Sequence, residues 1–482
     1  MLKIFALIAS LLVAACATAP TLGEATLSAV VVREDLSALY QGLQRSHYDL
    51  YTHTPKPNYD RLHAETQASI RGPMTPLEAH ALLQRFTAAG RVAHASLGFP
   101  SVSYAAFRES GGRVFPLAVR TEGERLFVTQ NLSGDAGIAP GAEILAINGA
   151  PSAQWLARLR RDVSADTEYL AMAQIEPAFA PLLWLEIGEV EAFDVALRAP
   201  DGSETMVRLA SRTRAEMTAA SESAPPDLDL NYTERVAHML SNGVAYLRPG
   251  IFLNLDSEDM FDTASFHAFI DTAFEDFMAV GADTLLIDLR DNPGGDNSFS
   301  DHMIAWFADQ PFHFASRFRI RVSQEAIASN EARLLGAGPD TISRQLADIY
   351  AAASIGDRVD FPIPLVAPRH GARFDGRVFV LVNRRSFSNC VLVAAIIQDY
   401  GFGRVLGEPT SDLATTYGAA EHFTLPNTGL SVSFPKAFIV RPSGDARVQG
   451  VTPDIAIETP RVTSADDSVL RDSLSAIAAS SR

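Results

Sequence analysis

Residues Gly376–Thr410 read GRVFVLVNRRSFSNCVLVAAIIQDYGFGRVLGEPT. Val378–Val382 is a β-branched, apolar run of strand length. Arg384-Arg385-Ser386 interrupts it. Val391–Tyr400 then continues without Gly or Pro, which predicts a helix with Ser388 and Asn389 at its N-terminus. Gly401 and Gly403 close that helix, and Val405-Leu406 re-enters a sheet. Strand, tight turn, helix and strand imply a sheet with packed helices. Ser388 has two readings in this setting. It caps the helix, as serines often do, or it is a nucleophile beside first-turn N–H groups that can hold an oxyanion.

A second stretch, Asp283–Gly295 (DTLLIDLRDNPGG), has the same rhythm. It is a buried strand running into a polar, Gly-rich turn, with a helical run from Phe299 to Phe307 behind it. Gly294 and Gly295 lack side chains, so backbone can approach a ligand closely there.

Several phrases follow one another in order: Asp288-Leu-Arg-Asp-Asn-Pro-Gly-Gly295, Val382-Asn383, Ser388, Gln398-Asp-Tyr-Gly401, Gly407-Glu-Pro-Thr410, Leu425-Pro-Asn427 and Gly450-Val-Thr-Pro-Asp454. Together they resemble the tail-specific (C-terminal-processing) serine protease family. The resemblance implies a multidomain α/β protein whose catalytic domain is similar to the crotonase and Clp-protease spiral. It implies Ser388 as nucleophile, with backbone N–H groups of Gly294 or Gly295 and of Asn389 as the oxyanion hole. Members with a Ser–Lys dyad carry the Lys in the loop after Gly-Glu-Pro-Thr. That register holds Leu413 here, and no Lys lies between Ser388 and Lys436. A serine needs a base, and a histidine near neutral pKa suits the task. By resemblance to the tricorn-type branch, His94 in Gly90-Arg-Val-Ala-His-Ala-Ser-Leu-Gly-Phe99 is that base, with His302 and His422 as spares. For the third member, Asp445 near the Gly-Val-Thr-Pro-Asp segment is the candidate, with Glu408 and Glu421 behind it. Cys390, two residues past Ser388, reads as core filler or as an alternative nucleophile.

Met1–Ala15 has one Lys, an apolar core and small residues before Cys16. It reads as a secretory signal. Val13-Ala14-Ala15-Cys16 resembles a bacterial lipobox, so 1–15 is expected to be a lipoprotein signal peptide, Cys16 a lipid-attachment site and 16–26 a tether. Ala17, rather than Asp, after the Cys points to the outer membrane of the cell envelope, facing the periplasm. Cys16 and Cys390 are the chain's two cysteines, and acylation of Cys16 rules out an intramolecular disulfide.

The intervening chain divides by pattern. Residues 27–112 form a helical region, with apolar spacing near 3.6 in Val31–Leu43 and Pro76–Ala88. Residues 113–212 resemble a β-rich, PDZ-like module with a helical insertion at Asp162–Ile187. The polar stretch 213–235, with Pro225-Pro226, reads as a linker. The catalytic domain is 236–460, interrupted at 312–371 by an insertion with a helical run over Glu325–Ala353. Residues 461–482 read as a tail with one short helix.

Of 482 residues, 47% are hydrophobic and 20% charged, enough for several cored domains. The formal net charge of −17 argues against nucleic acid as a partner. Metal-binding spacings of Cys and His are not seen, and no cofactor is expected. The expected activity is that of an exported serine endopeptidase, cutting unfolded or C-terminal polypeptide segments. Two other classes stay open: a silent peptide- or lipid-binding protein on the same fold, and an esterase.

Overall fold

The computed structural model describes residues 26–224, 228–335 and 341–480. The expected signal peptide, Cys16 and nearly all of the expected tether therefore lie outside the described residues. The protein is a multidomain α/β chain that divides into two compact units. The division does not follow chain order. Residues up to 224 form one unit together with Arg321–Asp357 and Tyr417–Lys436; residues 228–320, Arg358–Thr416 and 437–480 form the other. Most of the 312–371 insertion and the Leu425-Pro-Asn427 hairpin thus belong with the N-terminal unit, not with the catalytic domain expected at 236–460.

The N-terminal unit begins with helices Ala29–Ser46, Lys56–Ser69, Pro76–Ala88 and Ser101–Glu109. Thr75 and Glu78 form a reciprocal capping box at the third of these, and Pro76 occupies its first turn. Tyr59, fully buried, stacks on Tyr40 and meets Phe86 edge-on, which ties the first three helices together. The module at 113–212 is an antiparallel sheet in the order Leu117–Glu122, Arg125–Asn131, Glu143–Ile147, Ala192–Arg198, Glu204–Ala210. Asn148-Gly149 makes the expected turn, both residues with positive φ. The helical insertion is Glu168–Ile187. The linker contains a helix at Arg214–Ser223, capped by Thr213 and Glu216. It buries none of its residues, so its capping box carries more of its stability than packing does.

The second unit is built on a six-stranded sheet. Its order is Ile455–Ala456, Arg404–Gly407, Arg377–Val382, Thr284–Asp288, Ala245–Arg248, Val236–Met239. All neighbours are parallel except the last pair. Thr284–Asp288 is buried along its whole length and Arg377–Val382 is buried beyond its first residue, which explains their unbroken apolar runs. Helix Asn389–Tyr400 buries every residue from Asn389 to Ile397, so it is apolar all round and not striped. The C-terminal residues are not a loose tail. Helix Ser468–Ala479 buries Val469 and Ile477 in one cluster with Tyr246, Leu286, Phe379, Leu381 and Leu406. Among the described residues, no helix is long and apolar enough to cross a membrane.

Candidate active site

Ser388 sits where the Arg377–Val382 strand has ended and helix Asn389–Tyr400 begins. Its backbone is at φ 53°, ψ −120°. This conformation is rare for a residue with a Cβ and costs roughly 1–3 kcal/mol. The side chain makes no cap hydrogen bond, so the helix-cap reading of Ser388 does not hold. Instead its backbone N–H donates to Asp412 Oδ2 at 2.6 Å. A hydrogen bond contributes about 0.5–1.5 kcal/mol, so this one offsets part of the strain. The next N–H groups are partly taken: Cys390 N donates to Phe387 O, and Val391 N and Leu392 N to Ser388 O. Asn389 N–H, at the first helical position, has no acceptor among the described residues.

The Asn-Pro-Gly-Gly turn is fastened to this one. Phe387 N donates to Asn292 O at 3.0 Å, Ser386 Oγ to Leu289 O at 2.7 Å, and Leu289 N to Leu381 O at 2.9 Å. Asn292 Nδ2 donates to Gly250 O at 2.6 Å. Asp291, another residue with positive φ (56°), is held by Asn383 Nδ2 and by Arg385. Burial pushes the Asp291 carboxyl up, but Arg385 and Asn383 override it and hold it below the usual range. Asn389 Nδ2 reaches Ser300 Oγ at 2.9 Å, joining helix Asn389–Tyr400 to helix Asn297–Ala305.

The two glycines have different parts. Gly294 N–H donates to Asn292 Oδ1 at 3.0 Å, so it is turned into the protein and not toward a substrate. What Gly294 supplies is room: a Cβ there would stand 2.8 Å from Asn389 N and 2.9 Å from Ser388 Cβ. Gly295 pairs with Phe252, and its own N–H has no acceptor among the described residues. The oxyanion expectation for Gly294 or Gly295 therefore narrows to Gly295.

Cys390 is fully buried, and burial pushes its thiol well up, with partial relief from the Gly294 backbone. A neutral, enclosed thiol is core filler, not a nucleophile. Leu413 is buried at the position where a dyad Lys would stand.

His94 lies on a short turn in the N-terminal unit and is half-buried. Ala93 N donates to Asp166 Oδ2 at 2.9 Å, and His53 Nε2 faces Asp166 Oδ1 at 3.3 Å. On the other side Ser433 Oγ donates to His94 O, and Ser96 and Ser433 exchange both backbone hydrogen bonds. The backbone around His94 is thus pinned from two directions.

The other candidates have structural partners. Asp445 is taken up by Arg447, through its backbone N–H and both Nε and Nη2. That grip holds its carboxyl at about 2. His302 pairs with Asp271 at 2.6 Å and stacks on His267. Burial lowers the His422 imidazole below its usual value. Glu408 pairs with Arg384 at 3.1 Å. Glu421 is buried between Lys436 (2.5 Å) and Arg333 (2.6 Å). Burial raises its carboxyl, but the two cations win and bring it to about 2. Among the described residues, no cluster of three or more His, Cys, Asp or Glu could hold a metal. Asp412 was not legible from sequence. The polar phrase Gly-Glu-Pro-Thr-Ser-Asp reads as surface loop, yet the Asp412 side chain is wholly buried.

Comparison with known proteins now places this arrangement. The model of peptidase family S41 matches residues 254–457, a span that holds both turns and Asp412. That span is similar to the peptidases of family S41. The tail-specific resemblance of the motifs therefore stands, and the protein is a serine-type peptidase. The structure is similar to that of mature CPAF complexed with lactacystin, at 17% identity and a TM-score of 0.63, over 93% of this chain and 97% of that one. It is also similar to a second structure of mature CPAF, at 18% identity and a TM-score of 0.59, over 89% and 93%. The photosystem II D1 C-terminal processing protease aligns at 14% identity and a TM-score of 0.43, over 89% and 93%. No curated protein sequence matches the chain at a significant level.

Proposed function

We propose that this protein is an exported endopeptidase of the S41 type that cuts unfolded or C-terminal polypeptide segments through an acyl-enzyme on Ser388. The observation that carries the reading is the strained Ser388 turn, whose side chain caps nothing while Asn389 N–H begins the helix beside it. His94 takes the hydroxyl proton as Ser388 attacks the peptide carbonyl, then returns it to the leaving amine. The N–H groups of Gly295 and Asn389 hold the oxyanion, each donor contributing about 3 kcal/mol to the transition state. Water, activated by the same His, releases the acyl group. Asp445 is not part of this scheme, because its carboxylate is held by Arg447. The PDZ-like module offers exposed sheet edge to an extended segment. The lipobox-like Cys16 anchors the chain to the outer membrane.

The test is degradation of an unstructured protein by the lipid-free form that starts after Cys16, beside its Ser388→Ala and His94→Ala variants. Cutting by the parent and by neither variant is the expected result. A parent that cleaves small esters but no peptide overturns the endopeptidase reading in favour of an esterase. An inert parent overturns both and leaves a binding protein on a protease fold. Labelling the intact cells with radioactive palmitate, with and without Cys16→Ser, checks the anchor.

A further inference from the structure

We infer that Asp412 is a positioning residue for the nucleophile. The inference rests on Ser388 being that nucleophile. Its carboxylate is completely buried, and Oδ2 lies 2.6 Å from Ser388 N. The N–H it accepts belongs to the one residue whose backbone must hold φ 53° for the hydroxyl to stand clear of the helix. Asp412 is itself fixed. Thr410 N donates to Val451 O, Val451 N donates to Thr410 Oγ1 at 2.9 Å, and Thr410 Oγ1 donates to Asp412 O at 3.0 Å. Gly450 lets these strands of loop close up: a Cβ there would stand 2.0 Å from Thr410 O and 2.8 Å from Asp412 O. The Gly-Val-Thr-Pro-Asp segment therefore acts on Ser388 through Thr410 and Asp412.

One consequence follows for the chemistry. Ser388 N–H is occupied, so it is not an oxyanion donor, and the donor on that side is Asn389 N–H.

The experiment compares Asp412→Asn, Asp412→Ala and Asp412→Ser in the full chain. The readouts are the rate of phosphonylation by a fluorophosphonate probe, kcat and KM on an unstructured polypeptide, and the thermal midpoint. Asn keeps an oxygen that accepts the Ser388 N–H, so its kcat is expected within about fivefold of the parent. Ala removes the acceptor and Ser falls short of it. Both are expected to lose about 10²-fold in kcat and in labelling rate, the cost of misplacing a reacting group by about 1 Å, with KM held. If Ala does not fold, Ser carries the comparison. A labelled parent with an Ala or Ser variant equally fast overturns the positioning role alone. Loss of kcat in Asn equal to that in Ala, in step with a lowered midpoint, also overturns it. A parent that the probe does not label overturns the nucleophile reading, and the positioning role with it.

Discussion

Gly294→Ala probes the nucleophile turn at its tightest contact. Gly294 has φ 95°, which a residue with a Cβ resists. An alanine Cβ would stand 2.6 Å from Phe387 O, 2.8 Å from Asn389 N and 2.9 Å from Ser388 Cβ. Ordinary contact starts near 3.4 Å. The two turns must then separate by 3.4 − 2.6 = 0.8 Å at the worst contact and 3.4 − 2.9 = 0.5 Å at Ser388. All three atoms lie on or beside backbone, so no flexible side-chain end can swing away. Backbone strain of about 1–3 kcal/mol adds to overpacking of about 1–3 kcal/mol, giving a stability loss of roughly 2–6 kcal/mol. A shift of this size at the reacting atom lowers kcat by roughly 10–10²-fold with little change in KM. The control is Gly281→Ala. Gly281 also has positive φ, 71°, but nothing lies within 4 Å of its Cβ position. That variant is expected to lose about 1 kcal/mol of stability and no activity. Urea titration and steady-state cleavage of an unstructured polypeptide measure both effects. A folded Gly294→Ala protein with kcat within about twofold of the parent would refute the packing argument, since misplacement carries a far larger cost.

Three further perturbations test other parts of the molecule. Asp467→Ala removes one of the two carboxylates on buried Arg290 and the cap on Leu470 N; a loss of about 3 kcal/mol in urea titration is expected, and no change would show the pair to be dispensable. Glu421→Ala leaves Lys436 and Arg333 without their shared carboxylate and is expected to cost about 3–5 kcal/mol, whereas Glu421→Met with Lys436→Met recovers part of that; equal losses in the single and double variants would contradict the pairing. His47 is buried and held down to about 3 from its usual 6.5, first by burial and then by Arg321 and His53. Its folded pKa is depressed, so the unfolded chain takes up a proton below pH 6.5 that the folded chain refuses until about 3. Stability therefore falls across that window by up to about 1.4 kcal/mol per pH unit, and His47→Asn removes that slope; parallel pH profiles for the two proteins would rule the assignment out.

The strand–turn–helix unit around Ser388 was legible because its boundaries are local. Apolar runs of fixed length end at Gly401 and Gly403, and the structure moves the predicted ends by only a residue or two. The glycine turn was legible for the same reason. What could not be read were features made by distant residues. Asp412 looks like surface until its loop closes on Gly450-Val451. The Ser468–Ala479 helix looks like a tail until its apolar face meets the sheet. The Arg214–Ser223 helix is a different failure: Thr213-x-x-Glu216 is a readable capping box, outweighed by the polar composition around it. The allocation of Arg321–Asp357 and Tyr417–Lys436 to the N-terminal unit leaves no local trace at all.

Arg290, at the entrance to the Asn-Pro-Gly-Gly turn, is neutralised by Asp288 beside it and by Asp467, 177 residues further along the chain. During synthesis, Ser388 leaves the ribosome while Asp467 and the Ser468–Ala479 helix are still unmade. Until they arrive, Arg290 has one of its two carboxylates and Leu286, Phe379 and Leu381 lack part of their cover. The nascent chain thus holds Ser388 in an unfinished frame.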